Sequence, residues 1–119
     1  MAVFLSGCLP AGKVGGTAAL AVEEGEASYY SDAFEGRPTS SGEAYRRAEL
    51  TAAHRRFPFG TVVRVVDPAT GREVEVRIND RGPARAGRII DLSRAAADRI
   101  GILASGIAHV RLEVLAWGP

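Results

Sequence analysis

Cysteine is nearly absent from this sequence: of 119 residues, only Cys8 carries a thiol. A single cysteine excludes an internal disulfide and any paired-cysteine metal site. The two histidines, His54 and His109, lie far apart and neither has a partner at ligand spacing, so no metal and no cofactor is expected. Lysine is equally scarce. Lys13 is the only lysine among 15 basic residues, and the rest are arginine. Arginine grips carboxylates and phosphates with paired bonds and stacks on flat surfaces, although a genome rich in G and C produces the same bias. The net charge of +1 leaves no field that would draw the whole molecule to nucleic acid. No stretch approaches the roughly 18 apolar residues of a membrane-spanning helix.

What is present is the composition of an ordinary globular protein, 46% hydrophobic and 24% charged, in a length that fits one domain. The first 25 residues stand apart. Leu5-Ser6-Gly7-Cys8 resembles a lipobox, where a bacterial signal peptidase cuts before a cysteine that then carries lipid. The apolar stretch before it is about six residues, shorter than the roughly 7–15 of a signal core. A stray cysteine in a loose N-terminus is the alternative. Residues 9–25 have few large apolar side chains and no period, and read as a flexible linker. The domain is expected over residues 26–117.

Within it, β-branched and alternating runs predict short strands. These are Ala27–Tyr30, Leu50–Ala53, Thr61–Val66, Glu73–Ile78, Ile89–Leu92 and Val110–Val114. Asp67-Pro68-Ala69-Thr70-Gly71 makes a turn that joins the third and fourth into a hairpin. Ser93 can cap a helix over 94–100, and Gly101 is placed to end it. Residues 31–47 form a long polar loop, and long loops in small domains tend to carry function. Six short strands and one helix predict a mostly-β fold, a small closed barrel.

Two clusters hold the reactive side chains: 50–61, containing His54 and Arg55, and 77–93, containing Asp80, Arg81 and Asp91. Asp80 follows an alternating strand, where rigid scaffolds present chemistry, yet Asn-Asp-x-Gly also simply makes turns. His54 ends an apolar run; histidine exchanges protons near neutrality, but one such residue also serves as hydrogen-bonded structure. Asp91 sits inside an apolar strand and needs a partner if buried, with Arg88 and Arg81 in range, or it caps the helix that follows. Tyr29, Tyr30 and Phe34 suit either sugar stacking or the core. His109 lies on the outer side of the last strand and is given no role.

These motifs, in this order, resemble the rare-lipoprotein-A family of lytic transglycosylases. The resemblance rests on Ala27-Ser28-Tyr29-Tyr30, Thr39–Glu43, Leu50-Thr51-Ala52-Ala53-His54-Arg55, Phe59-Gly60-Thr61, Arg77-Ile78-Asn79-Asp80-Arg81-Gly82-Pro83 and Gly87–Ser93, and covers roughly residues 26 to 115. Ser31 departs from the family's glycine. The resemblance implies a six-stranded double-psi β-barrel that cleaves the glycan strands of peptidoglycan to 1,6-anhydro-muramyl products. Asp80 would be the catalytic acid, His54 the second essential residue, and Asp91 a further acid of the wider barrel group. Tyr29, Tyr30, Thr39, Ser41, Glu43, Arg55 and Arg81 would bind substrate, with Arg37 as a further grip on carboxylates. A monomer is expected at the periplasmic face of the envelope, held to the membrane by lipid on Cys8 and acting on glycan strands. An acid catalyst must be protonated to act, so the pKa of Asp80 is expected to be raised. The alternatives are a wall-binding module of expansin type without turnover, and a two-carboxylate hydrolase of β-1,4-glucans.

Overall fold

The computed structural model describes residues 18–119, so the lipobox reading at Cys8 lies outside the described residues. Six strands close into a barrel: β1 (Ala21–Tyr29), β2 (Thr51–His54), β3 (Val62–Val66), β4 (Glu73–Asp80), β5 (Arg88–Leu92) and β6 (Ala108–Ala116). Their order around the barrel is β1-β5-β2-β4-β3-β6. The pairs β1·β5 and β2·β4 are parallel, and the other four are antiparallel. Among the described residues this is the mostly-β, closed barrel with one α-helix that the patterning and the resemblance imply.

The expected strands all form, and the first extends further than expected. Residues 21–25, read as linker, are strand paired with β6 from Ala21↔Val114 to Gly25↔Val110. The boundary placed at residue 26 therefore falls inside β1. The inward row here is Ala21, Glu23, Gly25 and Ala27. An acid and a glycine at inward positions hide the period of two that would have revealed the strand.

Valines, isoleucines and leucines from β3 to β6 fill the barrel, among them Val63, Val65, Val76, Ile78, Ile90, Leu92 and Leu112. Each such side chain contributes about 1.5–3 kcal/mol on burial. The helix α1 (Arg94–Ile100) lays Ala96, Ala97 and Ile100 against this core. Its ends are those read from the sequence. The Ser93 hydroxyl accepts from the Ala96 N–H at 3.2 Å, and Gly101 closes the helix at φ +79°. At the β3–β4 hairpin, the Asp67 carbonyl accepts from Gly71 N–H at 2.8 Å, and Gly71 takes φ +78°.

Gly25 lies at a close approach of β1 to β5. A Cβ there would stand 2.7 Å from Ile89 Cγ2 and 3.2 Å from the Gly87 carbonyl oxygen. Gly25→Ala is expected to lower stability by about 1–3 kcal/mol through overpacking. Thermal unfolding followed by circular dichroism measures this; an unchanged melting temperature would show that β5 yields freely.

Candidate functional site

The parallel pairing of β2 and β4 carries an irregularity that sets the site. Ala52 pairs with Ile78 but Ala53 pairs with Asp80, so Asn79 is an extra residue on β4. Without that slip, the alternation of Val74, Val76 and Ile78 would send Asp80 inward. A bulge turns the next side chain to the other face. Cross-strand partners share a face. Ala53 also pairs with Asp91, and Asp91 with Ser28. Ser28, Asp91, Ala53 and Asp80 therefore form one row across the outside of β1, β5, β2 and β4. The two carboxylates flank a buried alanine, two strand spacings or about 10 Å apart at Cα.

The carboxylate of Asp80 is held from three directions. The Tyr30 hydroxyl donates to Oδ2. The backbone N–H groups of Ser40 and Arg81 donate to Oδ1 at 2.8 and 2.9 Å. Burial pushes the Asp80 pKa up, but the hydrogen bonds from Tyr30, Ser40 and Arg81 outweigh it and hold the carboxyl below its ordinary value. This corrects the expectation of a raised pKa. The long loop delivers donors to a group that the sequence alone shows only beside Asn79 and Arg81. Tyr30 answers in the opposite sense. Burial, then the bond to Asp80 and the charges of Asp80 and Asp91, push its hydroxyl far above the usual phenol value.

Asp80 and Tyr30 line an open pocket of about 360 Å³, together with Phe34, Arg37, Pro38, Thr39 and Tyr45. Tyr45 is buried and stacks on Tyr30 with ring centroids 4.4 Å apart, while Phe34 meets Tyr30 edge-on at 5.8 Å. The Tyr45 hydroxyl accepts from the Arg94 N–H at 3.1 Å, which ties the pocket wall to the first turn of α1. Arg37 lies over the Phe34 ring at 5.3 Å. Tyr45 was not among the residues expected here, since a lone aromatic in a polar loop gives no period to read.

The remaining candidates are dispersed. Tyr29 and Tyr30, adjacent in sequence, face opposite ways. Tyr29 packs against the core and donates to the Leu103 carbonyl at 2.7 Å, so it does not line the pocket. Thr39 reaches the pocket wall and bonds the Glu43 carbonyl at 2.7 Å, whereas Ser41 stabilises the loop turn, bonding Thr39 Oγ1 at 3.0 Å. Glu43 is clamped by Arg77 at 2.9 Å and Asn79 at 3.0 Å; these bonds hold it ionised, below the usual carboxylate range. Arg55 donates to the carbonyls of Pro83, Arg85 and Arg88, pinning the 82–87 loop. Arg81 turns its guanidinium away from Asp80, to the carbonyls of His54 (3.2 Å) and Phe57 (2.8 Å) and over the Phe59 ring (4.1 Å). Asp91 accepts from Ser28 Oγ at 2.5 Å, and Arg88, which also bonds Ser28, stands 3.8 Å away, so Arg88 rather than Arg81 is its cationic neighbour. His109 pairs with Glu24 at the surface.

His54 is not brought to the Asp80 carboxylate. It follows outward-facing Ala53, so its ring lies on the inner side of β2, 1% exposed and stacked on Phe57 with centroids 3.6 Å apart. Nδ1 accepts from the N–H groups of Arg56 and Phe57, both at 3.0 Å. That leaves Nε2 to carry the hydrogen, donated to Glu23 Oε1 at 2.8 Å. Burial lowers the pKa of His54, and the pull of Glu23 does not offset it. The unfolded chain then binds a proton that the folded chain refuses, so His54 contributes stability above the ordinary histidine pKa that is lost as pH falls toward its folded value. Urea titrations at pH 7 and pH 5.5 should show a larger loss for the wild type than for His54→Asn. Equal losses would mean that His54 is protonated in the fold.

Among the described residues, no group of three or more His, Cys, Asp or Glu is arranged to hold a metal. Residues 22–112 match the family model described as "Lytic transglycolase". The chain is 55% identical over 94 residues to a probable endolytic peptidoglycan transglycosylase RlpA of Nostoc sp., covering 77% of this chain and 25% of that protein. It is 50% identical over 95 residues to the endolytic peptidoglycan transglycosylase RlpA of Campylobacter jejuni, covering 80% and 34%. The chain thus spans a quarter to a third of the length of these relatives. In fold it is similar to a Streptomyces papain inhibitor (TM-score 0.66, 20% identity, 84% of this chain and 99% of that one). It is also similar to an expansin of Clavibacter michiganensis (TM-score 0.64, 21% identity, 83% and 54%). With this barrel, this loop and these relatives, the chain belongs to the lytic transglycolase family, in its RlpA-like double-psi β-barrel branch.

Proposed function

We propose that this domain cleaves the β-1,4 bond after N-acetylmuramic acid in peptidoglycan by a lytic, water-independent route, with Asp80 as the acid–base group. The observation that carries the reading is the Asp80 carboxyl itself, turned out of the barrel by a bulge and set in a pocket walled by Tyr30, Phe34 and Tyr45. The relatives named as endolytic peptidoglycan transglycosylases support it. A site in the cell envelope accords with such a substrate, and a lipid on Cys8 would keep the domain near the wall.

In this route Asp80 gives its proton to the leaving glycosidic oxygen as the C1–O bond breaks. The muramyl C6 hydroxyl then attacks C1, and its proton returns to Asp80. One carboxyl serves both transfers, and no water is consumed. Tyr30, Ser40 and Arg81 hold the free site in its ionised form, so the reactive protonated form is a minority at neutral pH. Substrate that excludes water raises that fraction, since burial already acts in that direction. Phe34 and Tyr30 offer faces for sugar rings, and Arg37 a cation for lactyl or peptide carboxylate. Asp91, in the same outer row, adds negative charge near Tyr30.

The ionised resting state also favours a second reading, a wall-binding module of expansin type in which the pocket holds glycan without turnover. Incubating the full chain and Asp80→Asn with purified sacculi, and reading products by mass spectrometry, separates the two. Anhydro-muramyl fragments from the wild type alone are expected, with a loss of at least about 100-fold in the variant. Reducing-end fragments would mean a hydrolase, and binding without release by both proteins would leave the wall-binding module.

The pH dependence gives a further check. With Asp80 held low, kcat/KM should rise as pH falls toward the carboxylate range. Tyr30→Phe removes one of the bonds that lower the pKa, so this limb should move to higher pH by about one unit, the worth of one hydrogen bond to a charged group. A limb that stays in place would show that another group limits the rate.

A further inference from the structure

Glu23 is an acid in the inward-facing row of β1, where charged side chains are rare unless paired. Its partner is the ring of His54, at 2.8 Å. Arg56 is the other charged group against it, at 3.8 Å from Oε2 and itself largely exposed. The bond to Glu23 selects one tautomer, with hydrogen on Nε2 and a lone pair on Nδ1. That lone pair accepts two consecutive N–H groups, Arg56 and Phe57. The turn after β2 is therefore built around the imidazole, with the Phe57 ring stacked on it only 6° from parallel.

The turn then reaches the carboxyl of Asp80. The carbonyls of His54 and Phe57 both accept from Arg81 Nη1, and the Phe59 ring lies under the same guanidinium. Anchored at its side chain, Arg81 presents its backbone N–H to Asp80 Oδ1 at 2.9 Å. The connections run without a gap from Glu23 through His54, the 56–57 amides and Arg81 to the carboxylate.

We propose that Glu23 is a positioning residue of the Asp80 site and acts through His54, which is itself a positioning residue whose imidazole orders the turn that holds Arg81. His54 then needs its acceptor at Nδ1, which the Nε2–H bond to Glu23 secures, and needs no proton exchange with substrate. This inference rests on Asp80 being the reactive group. It goes beyond that reading by giving the buried pair a place in the site.

The test uses the full chain and pairs each disruptive change with a conservative one. His54→Asn puts an amide oxygen, which accepts whatever stands at residue 23, close to where Nδ1 accepts, and Glu23→Gln keeps an acceptor for Nε2–H; His54→Ala removes the ring, and Glu23→Ala removes the acceptor that selects its tautomer. Nitrogen-15 spectra of the imidazole should show the Nε2–H tautomer in the wild type. Carbon-13 titration of the Asp80 carboxyl should move upward in both alanine variants, because the Arg81 N–H is no longer aimed, and stay near wild type in His54→Asn and Glu23→Gln. Release of fragments from sacculi should fall about ten- to hundredfold in the alanine variants, the cost of a misaligned catalytic group. It should remain within about threefold of wild type in the conservative ones, with sacculus binding unchanged throughout. His54→Asn as inactive as His54→Ala, with the Asp80 titration unmoved in both, would overturn the proposal and place the imidazole in direct contact with substrate. Should the wild type release nothing, the lytic reading falls, and the two spectroscopic readouts still decide this one: a moved Asp80 titration upholds it and an unmoved one refutes it.

Discussion

Between Ala52 and Ala53 the parallel ladder of β2 and β4 advances one residue on one strand and two on the other. A register in a two-faced sheet assigns every side chain to core or surface, and one extra residue exchanges the two sides. Ile78 stays in the barrel, and Asp80 comes out of it. The same slip leaves Asn79 buried, and its side chain donates to Glu43 and so holds the pocket loop against β4. The outer row of Ser28, Asp91, Ala53 and Asp80, the clamp on Glu43 and the approach of Tyr30 all depend on this one irregularity.

The electrostatics of the site follow from how the loop is anchored. A half-exposed carboxyl that accepts three hydrogen bonds is stabilised as an anion, and the gain exceeds the cost of partial burial. Tyr30 is the counterpart, a phenol that burial, the same carboxylate and its neighbour Asp91 keep protonated. The site at rest is thus a well-defined anion beside a phenol that stays protonated and donates to it. In the proposed lytic route, its conversion to an acid would depend on a substrate that removes water and competes for the Tyr30 bond.

Arginines near this site act mainly as structural ties. Arg55 spans three carbonyls of the 82–88 segment, and Arg81 joins two carbonyls and an aromatic face. Lysine, with a single ammonium, could not satisfy several fixed acceptors in one plane. Residues that the sequence suggested as grips for substrate therefore hold the loops that shape the pocket. Arg37, over the Phe34 ring, is the cation that lines the pocket.

The sequence by itself determined the local elements. Short apolar, β-branched and alternating runs specified all six strands, Pro68 and Gly71 the hairpin turn, and Ser93 and Gly101 both ends of the helix, because each depends on residues within a few positions of one another. The motifs around His54 and Asp80 were equally legible, and they identified the family. The sequence did not reveal that β1 begins at Ala21, since Glu23 and Gly25 are inward only by virtue of His54 and Ile89, distant in the chain. Nor could it show that Tyr29 and Tyr30 part company, that Tyr45 backs the pocket, or that Asp80 is held ionised. Those outcomes were decided by the tertiary structure, because register, facing and hydrogen-bond partners are properties of strands meeting across the barrel.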